Sequence, residues 1–447
     1  MLIDIPHWRY SEAVSTGVSA NRRRPKHRKA QIARAAAEAF SAQGYHAVSM
    51  ETIAAKVGVS APALYRHYAG KYDLFRGAVL ALSQQLVDCT DLKPGPAWDP
   101  EPGPDPAAML DRLVAVLIDA TLDNRDSGGL YRWQARYLRA EDQSTLTGQL
   151  RLVNRRIQKP LIAIRPSLTS AQRWMLSAGV LSVIGSIVDH RARLRADEIR
   201  ALLAAAAAAI LSAELPQPGD VFPRPVSWRI FAEDAGVYEA LLHAAMALFK
   251  DRGYTETSMA QIAAAAGIPV SGIYRYFSSK CEILATGLRR ATDRVSGQLS
   301  PIFGAITDPR QALLLLIDAY VATSFANPEL VAVYYTERVN LTPADQMLLH
   351  NVQLSTVDSW VRLLTAARPA LTPIQARFLV HAAMALVVDL GRMASPDDSA
   401  YAQACVRKLM EVTMFGPGAD PPAGPVLPRP PKRPRRGSSS PSRVARR

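Results

Sequence analysis

Residues 40–75 recur without a gap at 249–284. Phe40, Gly44, Tyr45, Ser49, Met50, Ile53, Ala54, Ala55, Gly58, Tyr65, Arg66 and Lys71 return as Phe249, Gly253, Tyr254, Ser258, Met259, Ile262, Ala263, Ala264, Gly267, Tyr274, Arg275 and Lys280. A repeat constrains architecture before any local pattern does, because both copies must fold alike. The period of 209 residues far exceeds the roughly 20–50 of a stacked solenoid unit, so a whole domain is duplicated. What recurs is a short helix, a glycine-centred turn and a second short helix ending in aromatic and basic residues. Each copy, at roughly 200 residues, is long enough to bury its own core.

The local reading is helical throughout. Ile32, Ala35, Ala36, Ala39 and Phe40 recur at helical spacing, and Gly44 stands where a left-handed cap would end that helix. Ser49 is placed to cap a helix from Met50, and Ser258 to cap its copy with Gln261. Gly58 and Gly267 fall where the chain must turn sharply. Ser60 then caps the next helix, with Pro62 in its first turn. Leu64 and Tyr68 face inward, leaving Ala61, Ala63, Tyr65, Arg66 and His67 outward. Small groups, a phenol and a guanidinium on a short exposed helix suit the major groove. Ala and Pro touch thymine methyls, Arg forks onto guanine and Tyr holds phosphate. One copy alone would also fit an ordinary helical hairpin with exposed aromatics. Two copies with the same outward Tyr-Arg and trailing Lys favour the DNA reading.

The runs 49–71 and 258–280 resemble the signature of the TetR/AcrR family of bacterial transcriptional repressors. The resemblance implies a three-helix DNA-binding domain followed by a helical ligand-binding domain whose last two helices pair subunits. The two-copy arrangement is similar to actinobacterial tandem TetR-type regulators of lipid-import (mammalian-cell-entry) operons. On this reading the DNA contacts are Arg22, Arg23, Arg24 and Lys29 on a basic arm, with Ser49, Ser60, Ala61, Pro62, Ala63, Tyr65, Arg66, His67 and Lys71 in the first copy. In the second copy they are Ser258, Val270, Ser271, Gly272, Tyr274, Arg275, Tyr276 and Lys280. There Pro269 stands in place of Ser60, which predicts a recognition helix starting one turn later. The charges differ too: residues 22–76 carry a net +8 and the matching 231–285 a net −2.

Beyond the motifs the chain reads as an all-α fold. After a Pro-rich loop, Leu92–Pro106, helices are expected near 107–122, 128–140, 143–164, 170–194 and 196–213. The second copy keeps the order: Arg165-Pro166-Ser167-Leu168-Thr169 matches Arg368-Pro369-Ala370-Leu371-Thr372, and each opens a helix with a capping box, Thr169–Gln172 and Thr372–Gln375. Val188-Asp189 matches Val388-Asp389. The expected division is a disordered basic arm (1–27), a first DNA-binding domain (28–75), a first regulatory domain (76–214), a linker (215–235), a second DNA-binding domain (236–284), a second regulatory domain (285–415) and a disordered basic tail (416–447). The helix pairs 170–213 and 373–415 are expected to join the halves as an intramolecular pseudo-dimer, alone or in an even multiple. Ion pairs Asp189–Arg136 and Asp389–Arg338 are expected from matched positions, with four solvated charges as the alternative.

Composition narrows the class. The formal charge is +14, of which the tail from Arg429 carries +8. A basic chain attracts phosphate polymers or anionic surfaces. The three cysteines, Cys89, Cys281 and Cys405, lie far apart, against a disulfide framework or zinc site. No apolar signal core precedes Arg22, and the longest apolar stretches, Trp174–Val188 and Ala201–Leu211, fall short of a membrane span. A cytoplasmic chain without membrane insertion is expected. No catalytic constellation, cofactor-binding loop or metal pair is read, and His190 and His381 on apolar helices read as core or surface residues. Trp133, Tyr137, Trp174, Tyr334, Trp360 and Phe378 are candidates for a pocket holding a small hydrophobic ligand, fatty acyl or sterol-like, or are ordinary core. Two unlike readers imply double-stranded DNA of asymmetric sequence as the partner. The rival is a nucleoid-type or RNA-binding protein using its basic arm and tail non-specifically.

Overall fold

A computed structural model describes residues 25–92, 105–217, 229–391 and 399–417. Arg22, Arg23, Arg24, most of the arm, and the tail from 418 lie outside the described residues, as do 93–104, 218–228 and 392–398. Among the described residues there is no strand; the fold is all-α, in two tandem units.

The first unit opens with α1 (Pro25–Gln43), α2 (Met50–Val57), α3 (Ala61–Tyr65) and α4 (Lys71–Cys89). α1 ends at Gly44, whose φ is 81°. Ser49 Oγ accepts the Thr52 amide at 3.1 Å and starts α2. Gly58, at φ 69°, stops α2, and Gly267 repeats that φ in the second unit; a Cβ there would be strained. Phe40, Ile53, Leu64, Leu74 and Phe75 are fully buried and knit the four helices together. Leu130, Leu138 and Leu146, from the segments that follow, join this core.

Those segments are α5 (Pro106–Asp123), α6 (Gly129–Trp133), α7 (Ala140–Ile164), α8 (Ser170–Gly185) and α9 (Ala196–Leu211). The helix expected over 128–140 is broken at Gln134 and continues as a 3-10 turn, Ala135–Tyr137. The break has a cause. The Gln134 side chain accepts the Tyr45 amide at 3.3 Å, and Leu138 turns into the core of α1–α4 with extended backbone. The helix expected to 194 ends instead with a 3-10 turn at Val188. Arg125 then holds the carbonyls of Ile187, His190 and Ala192, taking up acceptors that a helix would have used. Both capping boxes form, Thr169 with Gln172 and Thr372 with Gln375.

Among the described residues, the second unit repeats the order and shows one further helix. It runs α10 (Val237–Arg252), α11 (Met259–Ala265), α12 (Val270–Ile273), α13 (Lys280–Ser296), α14 (Leu299–Ala305), α15 (Pro309–Ala326), α16 (Pro328–Glu337), α17 (Pro343–Ala367), α18 (Pro373–Gly391) and α19 (Ser399–Phe415). α12 does not start late. It begins at Val270, the position matching Ala61, because Pro269 already has the extended φ −60°, ψ 148° of an N-cap.

α8 packs on α18, and α9 on α19, making a four-helix bundle between the halves. One apolar core runs through it, with Val180, Ile184, Leu203 and Ile210 meeting Leu379, Leu386, Val406 and Leu409. Each fully buried Leu or Ile contributes about 1.5–3 kcal/mol, so this interface belongs to the core. The sequence expectation that no stretch reaches membrane-span length is corrected: Ser170–Val188 and Pro373–Gly391 are long and apolar enough to cross a membrane. Here they are mostly buried and pack on each other.

Candidate nucleic-acid interface and regulatory cavity

The outward face of α3 presents Tyr65, 52% exposed, with Arg66 and His67 also exposed and Ala61 and Ala63 partly so. Pro62 is exposed beside them. The Arg66 side chain makes neither an ion pair nor a hydrogen bond among the described residues, so its guanidinium is available. Ser60 holds the N-cap place with extended backbone but makes no side-chain cap bond, which corrects its expected capping role. α12 presents Val270, Ser271, Arg275 and Tyr276 beside Tyr274, which is 56% exposed; Gly272 is half-buried. Ser258 forms the full capping box with Gln261. Lys29 is exposed near the Tyr68 ring.

The two trailing lysines behave differently from simple phosphate contacts. Lys71 Nζ donates to the His46 carbonyl at 3.1 Å and lies 4.7 Å from the centre of the Tyr45 ring. Lys280 Nζ donates to the carbonyls of Tyr254 at 2.6 Å and Thr257 at 2.7 Å, with Thr255 at 3.4 Å. An ammonium has three donors. Lys280 directs all three inward, while Lys71 keeps two for other partners. Burial lowers the pKa of each. Both lysines staple the start of α4 or α13 to the loop before α2 or α11.

Between the halves lies a charge cluster in a different arrangement from the expected ion pairs. Arg132, on α6, bridges Asp189 Oδ2 at 3.1 Å and Asp389 Oδ2 at 3.0 Å. Trp133 Nε1 donates to Asp189 Oδ1 at 3.0 Å and Ser182 Oγ to Asp389 Oδ2 at 2.7 Å. The guanidinium lies so close over Gly185 that a Cβ there would collide with it. Arg136 pairs instead with the buried carboxylate of Glu337 and reaches the Phe249 carbonyl at the end of α10. Glu337 Oε1 also accepts the Tyr254 amide at 3.3 Å, and Oε2 accepts Asn340 Nδ2 at 2.8 Å. Arg338 packs on the Tyr334 ring, and the expected Asp389–Arg338 ion pair does not form. The signal available in sequence was the repeated Val-Asp pair; its partner was not legible. His190 and His381 stack on each other across the interface at 4.3 Å, and burial pushes them down to about 2 and about 4, so both are neutral.

A cavity of about 120 Å³ opens in the second unit, between α13, α15, α16 and α17. Its walls are mostly apolar, with Tyr320, Tyr334 and Tyr335 prominent. Of the six aromatic residues expected in a pocket, Tyr334 lines it. Trp360 sits behind Tyr320, edge-on at 5.8 Å. Trp133 stacks on Tyr335 at 4.4 Å across the interface. Tyr137 stacks on Tyr45, Phe378 meets His190, and Trp174 packs against the shared core. These five do not line this cavity because helix packing claims their rings.

The sequence profile described as "Bacterial regulatory proteins, tetR family" matches residues 32–78 and 241–286. The chain is 44% identical over 61 residues to the HTH-type transcriptional activator FasR of Mycolicibacterium smegmatis, covering 14% of this chain and 26% of that protein. It is 30% identical over 128 residues to the HTH-type transcriptional repressor KstR2 of Rhodococcus jostii, covering 28% of this chain and 62% of that protein. The chain therefore spans between a quarter and three-fifths of these curated relatives. The solved structure of the ketosteroid transcriptional regulator KstR2 of Mycobacterium tuberculosis superposes with a TM-score of 0.38 at 22% identity, over 42% of this chain and 98% of that one. The chain carries the DNA-binding domain of the tetR family of bacterial regulatory proteins twice in one polypeptide.

Proposed function

We propose that the chain is a cytoplasmic, sequence-specific transcriptional repressor that reads DNA as an intramolecular pseudo-dimer. The observation that carries this is the pairing of two helix-turn-helix units, each with an outward Tyr-Arg, by one bundle of α8, α9, α18 and α19. A two-fold repressor reads a palindrome because half-site symmetry mirrors protein symmetry. Here α3 and α12 differ in side chains and charge, so the operator is asymmetric. The division into DNA-binding domains at 28–75 and 236–284 and regulatory domains at 76–214 and 285–415 belongs to this reading. So does a small hydrophobic effector in the cavity beside Tyr334, which releases the protein by binding its two conformations unequally. The relatives, named as a transcriptional activator and a transcriptional repressor, support the regulatory class; control of lipid uptake or metabolism genes belongs to the same reading.

Footprinting the DNA upstream of the protein's own gene tests the reading. A specific regulator prefers that segment by about a thousandfold or more over random DNA, and one chain, or an even multiple, protects an asymmetric site. Equal affinity for random DNA would instead support a non-specific nucleoid-type or RNA-binding role for the basic arm and tail.

A further inference from the structure

The cavity beside α16 has a chemistry that narrows its occupant. Several of its polar groups are already paired. Tyr334 donates to Gln353 Oε1 at 2.6 Å, Thr292 to the Leu288 carbonyl at 2.8 Å, and Thr356 to the Val352 carbonyl at 2.9 Å. Asn327 accepts the Ile230 amide at 2.7 Å and donates to the Thr323 carbonyl at 2.8 Å. Four lining hydroxyls remain. Those of Tyr320, Thr323, Ser324 and Tyr335 have no hydrogen-bond partner among the described residues. They face the open cavity and none is cut off from solvent, so these four are available to pair with a polar atom of an occupant.

No charged side chain lines the cavity. Arg338 stands outside it, with its guanidinium carbon 5.6 Å from the centre of the Tyr334 ring. A carboxylate or phosphate drawn inside would lose its hydration and meet no cation in the lining, since Arg338, beside Tyr334 at the margin, already faces Asp189. Hydroxyls both donate and accept, and so they match a neutral alcohol, phenol or ketone oxygen. The volume of about 120 Å³ is near the roughly 150 Å³ of a cavity that holds benzene, which limits the apolar body to about one ring. The first unit lacks the same walls. In the frame that aligns Arg165 with Arg368, Tyr320 and Tyr335 correspond to Leu117 and Arg132, and Arg132 is committed to the two aspartates.

We infer that the second unit alone takes a small neutral molecule, about one ring in bulk, with a single hydroxyl or carbonyl oxygen held by the Tyr320 and Tyr335 hydroxyls. The inference rests on the reading of the chain as an effector-responsive regulator, and narrows that effector. Titration calorimetry on the full chain with cyclohexanone, benzyl alcohol and benzoate tests it, alongside the conservative variants Tyr320→Phe and Tyr335→Phe. The neutral probes are expected to bind one per chain and benzoate at least tenfold more weakly. Loss of one phenol hydroxyl should weaken cyclohexanone by about two- to tenfold while leaving the ring packing intact. Benzoate binding as tightly as benzyl alcohol, two sites per chain, no binding of either neutral probe, or indifference to both substitutions would overturn the inference. Retention on operator DNA, measured in parallel, separates the two claims. If a fatty acyl carboxylate binds and releases DNA while the neutral probes do not bind, the effector reading stands and this inference falls. If the neutral probes bind as described but DNA retention is unchanged, the ligand class stands and the effector reading falls.

Discussion

Arg132 places one positive charge between two carboxylates, an arrangement that leaves the cluster one negative charge in excess. Burial pushes the Asp189 carboxyl up to about 6, Arg132 pulls it back and Asp389 pushes it further. Tyr131, Tyr335 and Arg338 also face the cluster. A folded value above the unfolded value of about 4 means that the native state holds a proton the unfolded chain has released. The associated stability is complete below about pH 4 and is lost as pH rises through about 6. About two pKa units correspond to at most about 3 kcal/mol. Asp189→Asn keeps one acceptor oxygen, for Trp133 or for Arg132, and removes the titration. Urea unfolding should therefore show the variant gaining on the wild type by up to about 3 kcal/mol between pH 4 and pH 7; a pH-independent difference would sink the idea. At this scale the sequence was a partial guide. It singled out both aspartates, yet matched them to Arg136 and Arg338 by repeat position. The break at Gln134 turns Arg132 toward the α8–α18 interface and sends Arg136 to α10. The aspartates themselves are not equivalent in place: Asp189 follows a 3-10 turn, whereas Asp389 lies within α18.

The elements that follow the DNA-binding units cross between the halves. Arg136, in the turn after α6, lies against Gly253 of the second unit, and Val339, after α16, lies against Gly44 of the first. The crossing is symmetric in place and unequal in chemistry. The second unit is held by an arginine and the fully buried Glu337; the first meets a valine. The position matching Glu337 in the first unit is Gln134, which accepts the Tyr45 amide without any charge. Neutral chemistry therefore suffices for that role, and a double-mutant cycle can isolate the ion pair. Arg136→Met alone leaves a buried carboxylate unpaired, which costs about 3–5 kcal/mol. Adding Glu337→Gln should recover most of that loss, as read by denaturant midpoints. Losses that simply add would show that the pair is not coupled. The helix order, the capping boxes and the turn glycines were legible because they follow from local rules, whereas the side-chain cap expected of Ser60 does not form. The 3-10 break and the crossing were not, since each depends on a partner far away in the chain.

At the scale of the whole molecule, the duplication and the all-α class were readable from the repeat and the helical spacing of apolar residues. The α8–α18 pairing was expected from the apolar helices, and the structure packs them together. The inequality of the two readers also begins in sequence, with net charges of +8 over 22–76 and −2 over 231–285, and the structure extends it. Lys280 spends its donors on its own backbone while Lys71 keeps two free, and α12 is one residue shorter than α3. The second unit is also the one clamped by charge to the opposite half. The first unit is therefore expected to carry most of the DNA affinity. Each phosphate neutralised steepens the salt slope by about 0.9, so replacing cations of the first unit should flatten it more. Deleting residues 429–447 should weaken binding to all sequences alike, because charge without a positioned helix meets phosphates and not base edges. Arg66→Ala should cost about 1–3 kcal/mol of operator affinity and relax specificity at one position, and Arg275→Ala should cost less. Binding isotherms of the two variants at matched salt decide the matter. Equal losses, or a larger loss at Arg275, would show that α12 reads bases despite its acidic surroundings, and that the charge asymmetry sets the encounter with DNA and not the choice of sequence.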